Sequence, residues 1–425
     1  MIMITLIILI FVLGYAAIAL ENTIKINKAA SALITGVLCW LVYMFSGTTK
    51  EVVNENLMMH LGDIASILFF LLGAMVIVEL IGAHDGFSII TNRIKTQKKS
   101  TLLIIITVIT FFLSAVLDNL TTTIVMVSLI RKILSEKEDR WYFSGLIIIA
   151  ANAGGAWSPM GDVTTTMLWI GGQISAFNII AKLLLPSLIA CLLPLIVLLV
   201  KFRKQTFTMP DTMHESEIPE KEQNLVFFVG ITGLLFVPLF KTFTHLPPFM
   251  GMMLALGVIW LVISILHRAK DKEVKKNFSV DTALQNADSP SIIFFLGILL
   301  AVAALQSVGL LTQLSGILSA NLKSDTAIGI VLGLISSIID NVPLVAAAIG
   351  MYPLQSYPID HYFWELLAFT TGTGGSIIII GSAAGVAAMG IEKIPFFWYL
   401  KKISWLALLG FFAGTATYII MQGVL

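Results

Sequence analysis

The chain has 425 residues, 57% of them hydrophobic and 12% charged, with a formal net charge of +1. That composition excludes an ordinary soluble domain and fits a polytopic α-helical membrane protein. The near-zero charge excludes a nucleic-acid partner, and two cysteines inside apolar segments, Cys39 and Cys191, exclude a disulfide framework.

Apolar stretches long enough for ~30 Å of hydrocarbon place spans at about 2–20, 29–45, 64–82, 142–172, 178–200, 225–241, 249–267, 291–309, 362–390 and 404–423. The first lacks a basic leader and an Ala-x-Ala site, so it reads as a membrane helix, not a cleaved signal. Two further apolar segments, 101–134 and 326–351, carry Asp118-Asn119 and Asp340-Asn341 at their centres. Both read as re-entrant hairpins, because each is too interrupted for one clean helix. Non-helical backbone at that depth is tolerated only inside protein or beside a water-filled cavity. Segments 83–98 (Phe87, Ile90, Ile94) and 310–322 (Leu310, Leu311, Leu314, Leu318) have one apolar face and read as interfacial helices.

These elements repeat. Asp63-Ile-Ala-Ser-Ile-Leu-Phe-Phe70 matches Asp288-Ser-Pro-Ser-Ile-Ile-Phe-Phe295, the two Asp-Asn pairs match, and Gly154-Gly155 with Gly161 matches Gly374-Gly375 with Gly381. Residues 1–200 then form a first repeat, 201–223 a polar cytoplasmic linker, and 224–425 a second repeat. With both termini outside, the loops near 21–28, 83–100, 131–141, 201–223, 268–290 and 391–403 are cytoplasmic and hold 22 of the 26 Lys and Arg. Five crossings per half make the repeat inverted, an architecture of secondary transporters. The expected fold is therefore an all-α polytopic membrane protein. Each half has five spans, a re-entrant hairpin and a broken helix.

A carboxylate within a bilayer is expensive and marks an ion pathway by default. Asp118, Asp162 and Asp340 are the candidate acids; Asp162 has no acidic twin, Ser382 standing in its place. Asn119, Asn152, Asn341, Thr121, Thr122, Thr373 and Ser376 supply neutral oxygens. Hard cations take this ligand set. Capping of half-helix N-termini by Asp118 and Asp340 is a compatible role, and close packing is the competing explanation of the glycines. Glu79 is a candidate for a proton path or a helix contact. The six histidines form no ligand-spaced cluster, and His60 and His84 read as loop residues. The hairpins contain no Lys or Arg in their apolar parts, which disfavours an anionic substrate.

At Ser114-Ala-Val-Leu-Asp-Asn-Leu-Thr-Thr-Thr123, Asn152-Ala-Gly-Gly-Ala-Trp-Ser-Pro-Met-Gly-Asp162 and Thr371-Gly-Thr-Gly-Gly-Ser376 the chain resembles the NhaD-type sodium/proton antiporters of the ion transporter superfamily. The resemblance covers essentially the full length. It implies exchange of Na⁺, and of Li⁺, for H⁺ across the cell (inner) membrane, with no cofactor beyond the transported ions. It also implies a homodimer and an elevator-like division, with a mobile domain from 101–172 and 326–390. It further implies functional roles for Asp118, Asn119, Asn152, Asp162, Asp340, Asn341 and Ser376. Dicarboxylate carriers of the superfamily resemble instead a Ser-Asn-Thr hairpin tip, where this chain has Asp. A sodium-coupled carboxylate carrier is the alternative. An intramembrane aspartyl protease is disfavoured because Pro159 replaces the first glycine of a Gly-x-Gly-Asp motif.

Overall fold

The structure is a computed structural model that describes residues 2–91, 96–207, 218–268, 270–271 and 278–424. Among these the chain is helical throughout, with a single antiparallel bridge between Lys98 and Thr206. Among the described residues, seven helices are long and apolar enough to cross a membrane, or eight if Leu310–Leu322 and Asp325–Ile335, bent by 113°, form one span. Ten spans were expected. Six of them are among the seven, Lys99–Leu117 being the seventh; the four others are Lys28–Met44, which is shorter, the N-terminal helix, whose described apolar part is Met3–Ile18, and the two glycine-rich spans, which are broken.

Two groupings emerge from the packing. In the first, Lys28–Met44 packs on Ser289–Ser307 and on Ile2–Ala19, while Pro248–Leu266 packs on Lys50–Ala83 and Glu220–Thr244. Gly36 and Gly297 let the two backbones approach: a Cβ on Gly297 would lie 2.4 Å from the Leu33 amide. Trp40 Nε1 then donates to the Leu300 carbonyl at 2.9 Å. Small residues at such contacts are the usual device where lipid removes the hydrophobic drive between helices. Lys50–Ala83 has 34 residues, about 50 Å at helical rise, so it exceeds the expected span 64–82.

The second grouping contains the broken elements. Lys99–Leu117 and Asn119–Ile133 pack on each other and on Lys137–Ala156. The segment 101–134 is interrupted at Asp118, as expected, but its first limb, Lys99–Leu117, is long and apolar enough to cross a membrane by itself. Its hydroxyls do not interrupt it because they bond inside it: Thr107 Oγ1 donates to the Leu103 carbonyl at 2.7 Å and Thr110 Oγ1 to Ile106 at 2.6 Å. The second hairpin has limbs Asp325–Ile335 and Asn341–Met351, 11 residues each, or about 16 Å, half the hydrocarbon thickness. Ala176–Lys201 and Ser404–Val424 pack on each other and on the glycine-broken helices.

Bonds between distant segments tie this second grouping at two places. Arg140 Nε donates to Glu392 Oε2 at 2.8 Å and Trp141 Nε1 to the Glu392 carbonyl at 3.1 Å. Elsewhere the Ser175 amide donates to Asp360 Oδ1 at 2.6 Å, and the buried Glu365 accepts from Asn178 Nδ2 and, at 2.5 Å, from Tyr418 Oη.

Other expectations change. The first interfacial segment is a single helical turn, Ser88–Thr91; Phe87 is buried edge-to-face on Phe227, and Ile94 lies outside the described residues. The counterpart Leu310–Leu322 is a full helix. His84 is fully buried, and it meets His267 and Glu222, so a histidine cluster exists that no sequence spacing revealed.

Candidate functional site

Four helix breaks build the site. Lys99–Leu117 stops at Asp118, whose φ of 83° and ψ of 159° lie in a region used almost only by glycine. Such backbone costs on the order of 1–3 kcal/mol. Capping offsets it: Asp118 Oδ1 accepts from the Thr121 amide and Oδ2 from Thr121 Oγ1, both at 2.8 Å. Asp340 caps the second hairpin more simply, accepting from the Val342 amide at 3.1 Å. Asp162 caps Val163–Ile170, with Oδ1 accepting from the Thr164 amide at 3.2 Å. Ser382 caps Ala383–Glu392, accepting from the Gly385 amide at 3.2 Å.

Asp162 (φ −144°, ψ 148°) and Ser382 (φ −142°, ψ 154°) share one backbone geometry. The position is thus used twice, once with a carboxylate and once with a hydroxyl. The contacts that hold the breaks are also paired. Ser114 Oγ donates to the Ala151 carbonyl at 2.6 Å, and Ser336 Oγ to that of Thr371 at 2.8 Å. Gly154 and Gly374 allow the hairpins to seat. A Cβ there would lie 2.2 Å from the Phe111 carbonyl oxygen and 2.1 Å from that of Gly333, and backbone cannot yield to it.

The carboxylate of Asp162 is the hub. Its Oδ2 accepts from Asn119 Nδ2 and from Asn341 Nδ2, each at 3.1 Å. Asn119 also donates to Asn152 Oδ1 at 2.9 Å, and Asn152 Nδ2 donates to Ser376 Oγ at 2.9 Å and Ser382 Oγ at 3.0 Å. Asp162 is 1% exposed and Asn152 0%, so each polar atom left without a partner there would be costly. A cavity of about 50 Å³ adjoins the hub, space for an ion with roughly one or two waters. One wall is polar, with Asp118, Asn119, Asp162, Asp340 and Asn341; the facing wall is mostly apolar, with Phe70, Met75, Met252 and Phe295.

Of the residues expected from sequence, Asn119, Asn152, Asp162, Asn341 and Ser376 form one network, and Asp118 and Asp340 line the same cavity. Thr121 is engaged by Asp118. Thr122 has a buried hydroxyl with no partner among the described residues. The hydroxyl of Thr373 donates to the Phe369 carbonyl at 2.6 Å. Glu79 lies apart from the cavity and accepts from Asn286 Nδ2 at 3.2 Å.

Sequence reasoning missed Lys28. Assigned to the end of a cytoplasmic loop, it instead lines the cavity, with Nζ 3.9 Å from Asp340 Oδ2 and 4.5 Å from the Phe294 ring centroid. No spacing in the sequence links it to Asp340, 312 positions further on. Three carboxylates face one ammonium, so the cavity attracts cations when its acids are ionised. The donors are all oxygen, the set that hard cations prefer.

Comparison with known proteins agrees with this chemistry. Residues 4–374 match the family described as citrate transporter. The chain is 46% identical over 420 residues to "Sodium/proton antiporter 1" of Arabidopsis thaliana, covering 98% of this chain and 72% of that one. "Sodium/proton antiporter 2" of the same plant is 45% identical over 414 residues, covering 97% and 98%. "Na(+)/H(+) antiporter NhaD" of Alkalimonas amylolytica is 30% identical over 442 residues, covering 96% and 89%. These relatives are antiporters, and this chain is a multi-pass membrane transporter and not an enzyme. It belongs to the citrate-transporter family and, within it, to the NhaD-type sodium/proton antiporters.

Proposed function

We propose that this chain exchanges Na⁺, and Li⁺, for H⁺ across the cytoplasmic membrane, using carboxylates that cation and protons share. One observation carries the proposal. The asparagines that follow Asp118 and Asp340 both donate to one oxygen of Asp162, beside a small cavity that all three acids line. Asp118, Asp162 and Asp340 supply charge; Asn119, Asn152, Asn341, Thr122 and Ser376 supply or orient neutral oxygens.

Carboxylate transport is the second reading, favoured by the family's description and by Lys28. The cavity argues against it. About 50 Å³ is far below the ~300 Å³ at which organic-ligand pockets begin, and Lys28 already faces Asp340. Proteoliposomes holding the purified protein decide between them. Na⁺ and Li⁺ should dissipate an imposed proton gradient, while K⁺, succinate and citrate should not. Dissipation by citrate or succinate alone would overturn the proposal.

The two halves are read as inverted repeats, and transport as an elevator motion of the second packing group against the first. The moving block comprises 101–172 and 326–390. We add Ala176–Lys201 and Ser404–Val424, which pack on its broken helices. The scaffold supplies the apolar wall, along which a polar site slides without exchanging hydrogen bonds, and a homodimer would anchor it. On the positive-inside topology, the Lys28–Asp340 contact belongs to the position of the block nearest the cytoplasm. Asn341–Met351 packs on Ser289–Ser307 across this boundary. Disulfide cross-linking of cysteines placed on those two helices should stop exchange, and reduction should restore it. Unchanged exchange under a complete cross-link would sink the moving-block account.

A further inference from the structure

The cluster of His84, Glu222 and His267 lies outside the transport site and has the donors of a metal centre. Each residue offers one ligand atom, and these atoms lie within 4.8 Å of one another. All three residues are buried. They come from three helix ends. His84 caps the C-terminus of Lys50–Ala83, His267 caps that of Pro248–Leu266, and Glu222 sits in the first turn of Glu220–Thr244. Two helix C-termini and a carboxylate thus converge, and all three favour positive charge.

His84 makes the case specific. Its Nδ1 is 2.7 Å from the Leu80 carbonyl oxygen, which accepts only, so Nδ1 carries the proton. Nε2 is then a bare lone pair, and this buried atom has no hydrogen-bond partner. A backbone carbonyl that fixes the tautomer and points the other nitrogen inward is the usual support of a metal-binding histidine. The ring stacks on His267 at 5.2 Å between centroids. Glu222 Oε1 lies 2.7 Å from His267 Nε2. Lys270 Nζ now supplies the positive charge, 2.6 Å from Oε1 and 2.5 Å from Oε2 of Glu222, and it is partly exposed. A cleft of about 270 Å³ lined by Ser264, His267, Ser279 and Asp281 gives access.

We propose that His84, Glu222 and His267 bind one divalent transition-metal ion, Zn²⁺ being the best match. Two imidazoles and a carboxylate suit zinc and disfavour Mg²⁺ and Ca²⁺. Binding displaces the Lys270 ammonium toward solvent and requires Nε2 of His267 as a neutral lone pair, its proton shifting to Nδ1 of the same ring. The ion would pin three scaffold helix ends together.

The test uses metal-free full-length protein in detergent, Zn²⁺ titrated against a chromophoric chelator, and Co²⁺ as a spectroscopic probe. One ion should bind per chain, with Co²⁺ giving the intense visible bands of a tetrahedral site. His84→Ala and His267→Ala should each weaken binding by at least about a hundredfold. Lys270→Gln should bind at least about tenfold tighter, because a competing like charge is gone. A purely structural ion-pair cluster would not gain metal affinity on losing its lysine. The proposal is overturned if neither wild type nor Lys270→Gln binds Zn²⁺ saturably below millimolar concentration while both stay helical and monodisperse. Binding indifferent to His84→Ala overturns it equally. The readout is metal binding, so the result stands apart from any Na⁺/H⁺ assay.

Discussion

Asp118→Asn and Asp340→Asn should each abolish Na⁺/H⁺ exchange and leave the fold intact. Asp118 already holds its φ of 83°, and Asn, which has the same Cβ and nearly the same shape, meets no greater steric cost there than Asp does. Asn is also as good an N-cap as Asp, so its Oδ1 can keep the bond from the Thr121 amide now made at 2.8 Å. At Asp340 the cap to the Val342 amide survives in the same way. Only the charge is removed. A cation stripped of water needs that charge, and losing one ionic contact of about 3 kcal/mol is about a hundredfold in binding. Sodium-driven proton flux in proteoliposomes should therefore fall by that order or more for either variant. Circular dichroism and size exclusion should match wild type. Normal flux in one variant would remove that residue from the site.

Much of the site was legible in the sequence because burying a polar group in a membrane leaves a trace. Asp118-Asn119 and Asp340-Asn341 interrupt apolar runs, and the matched glycines mark where the helices break. From these alone the meeting of Asn119, Asn152, Asp162, Asn341 and Ser376 could be anticipated. Lys28 could not, since its contact with Asp340 joins residues over three hundred positions apart, and a lysine at a span's end ordinarily snorkels to the interface. Glu365 escaped for a related reason. It falls near the start of the expected span 362–390, yet Tyr418, Gln422 and Asn178 enclose it. The length of the first limb, Lys99–Leu117, was hidden because the sequence marks the break at Asp118 and not how far the helix before it extends. The brevity of Ser88–Thr91 has a similar origin. Apolar periodicity shows which face is greasy but not whether the partner is lipid or protein; here Phe87 packs on Phe227.

Apparent Na⁺ affinity should weaken steadily as pH falls, while the maximal rate at saturating Na⁺ changes little on the alkaline side. Asp118, Asp162 and Asp340 line one cavity with Lys28. Three ionised carboxylates against one ammonium leave a charge of minus two. A low-dielectric cavity does not carry that uncompensated. On the proposed shared site, protons and Na⁺ compete to neutralise the same oxygens. The sign follows directly. Each step toward acid fills more of the shared oxygens with protons, so more Na⁺ is needed to displace them. For each proton that must leave, the shift approaches about tenfold per pH unit. The proposed sharing would couple the two ions without a separate proton path, because an empty, highly charged site would be costly to move past the apolar wall of Phe70, Met75 and Phe295. Glu79, bonded to Asn286 away from the cavity, should then be dispensable, and Glu79→Gln should keep the wild-type pH profile. The measurement is Na⁺ titration of exchange in proteoliposomes at a series of pH values. A Na⁺ affinity flat across about three pH units around neutrality, over which a competing proton would change it up to about a thousandfold, would refute the shared site. It would point to a distinct proton carrier, with Glu79 and Glu365 the acids to replace next.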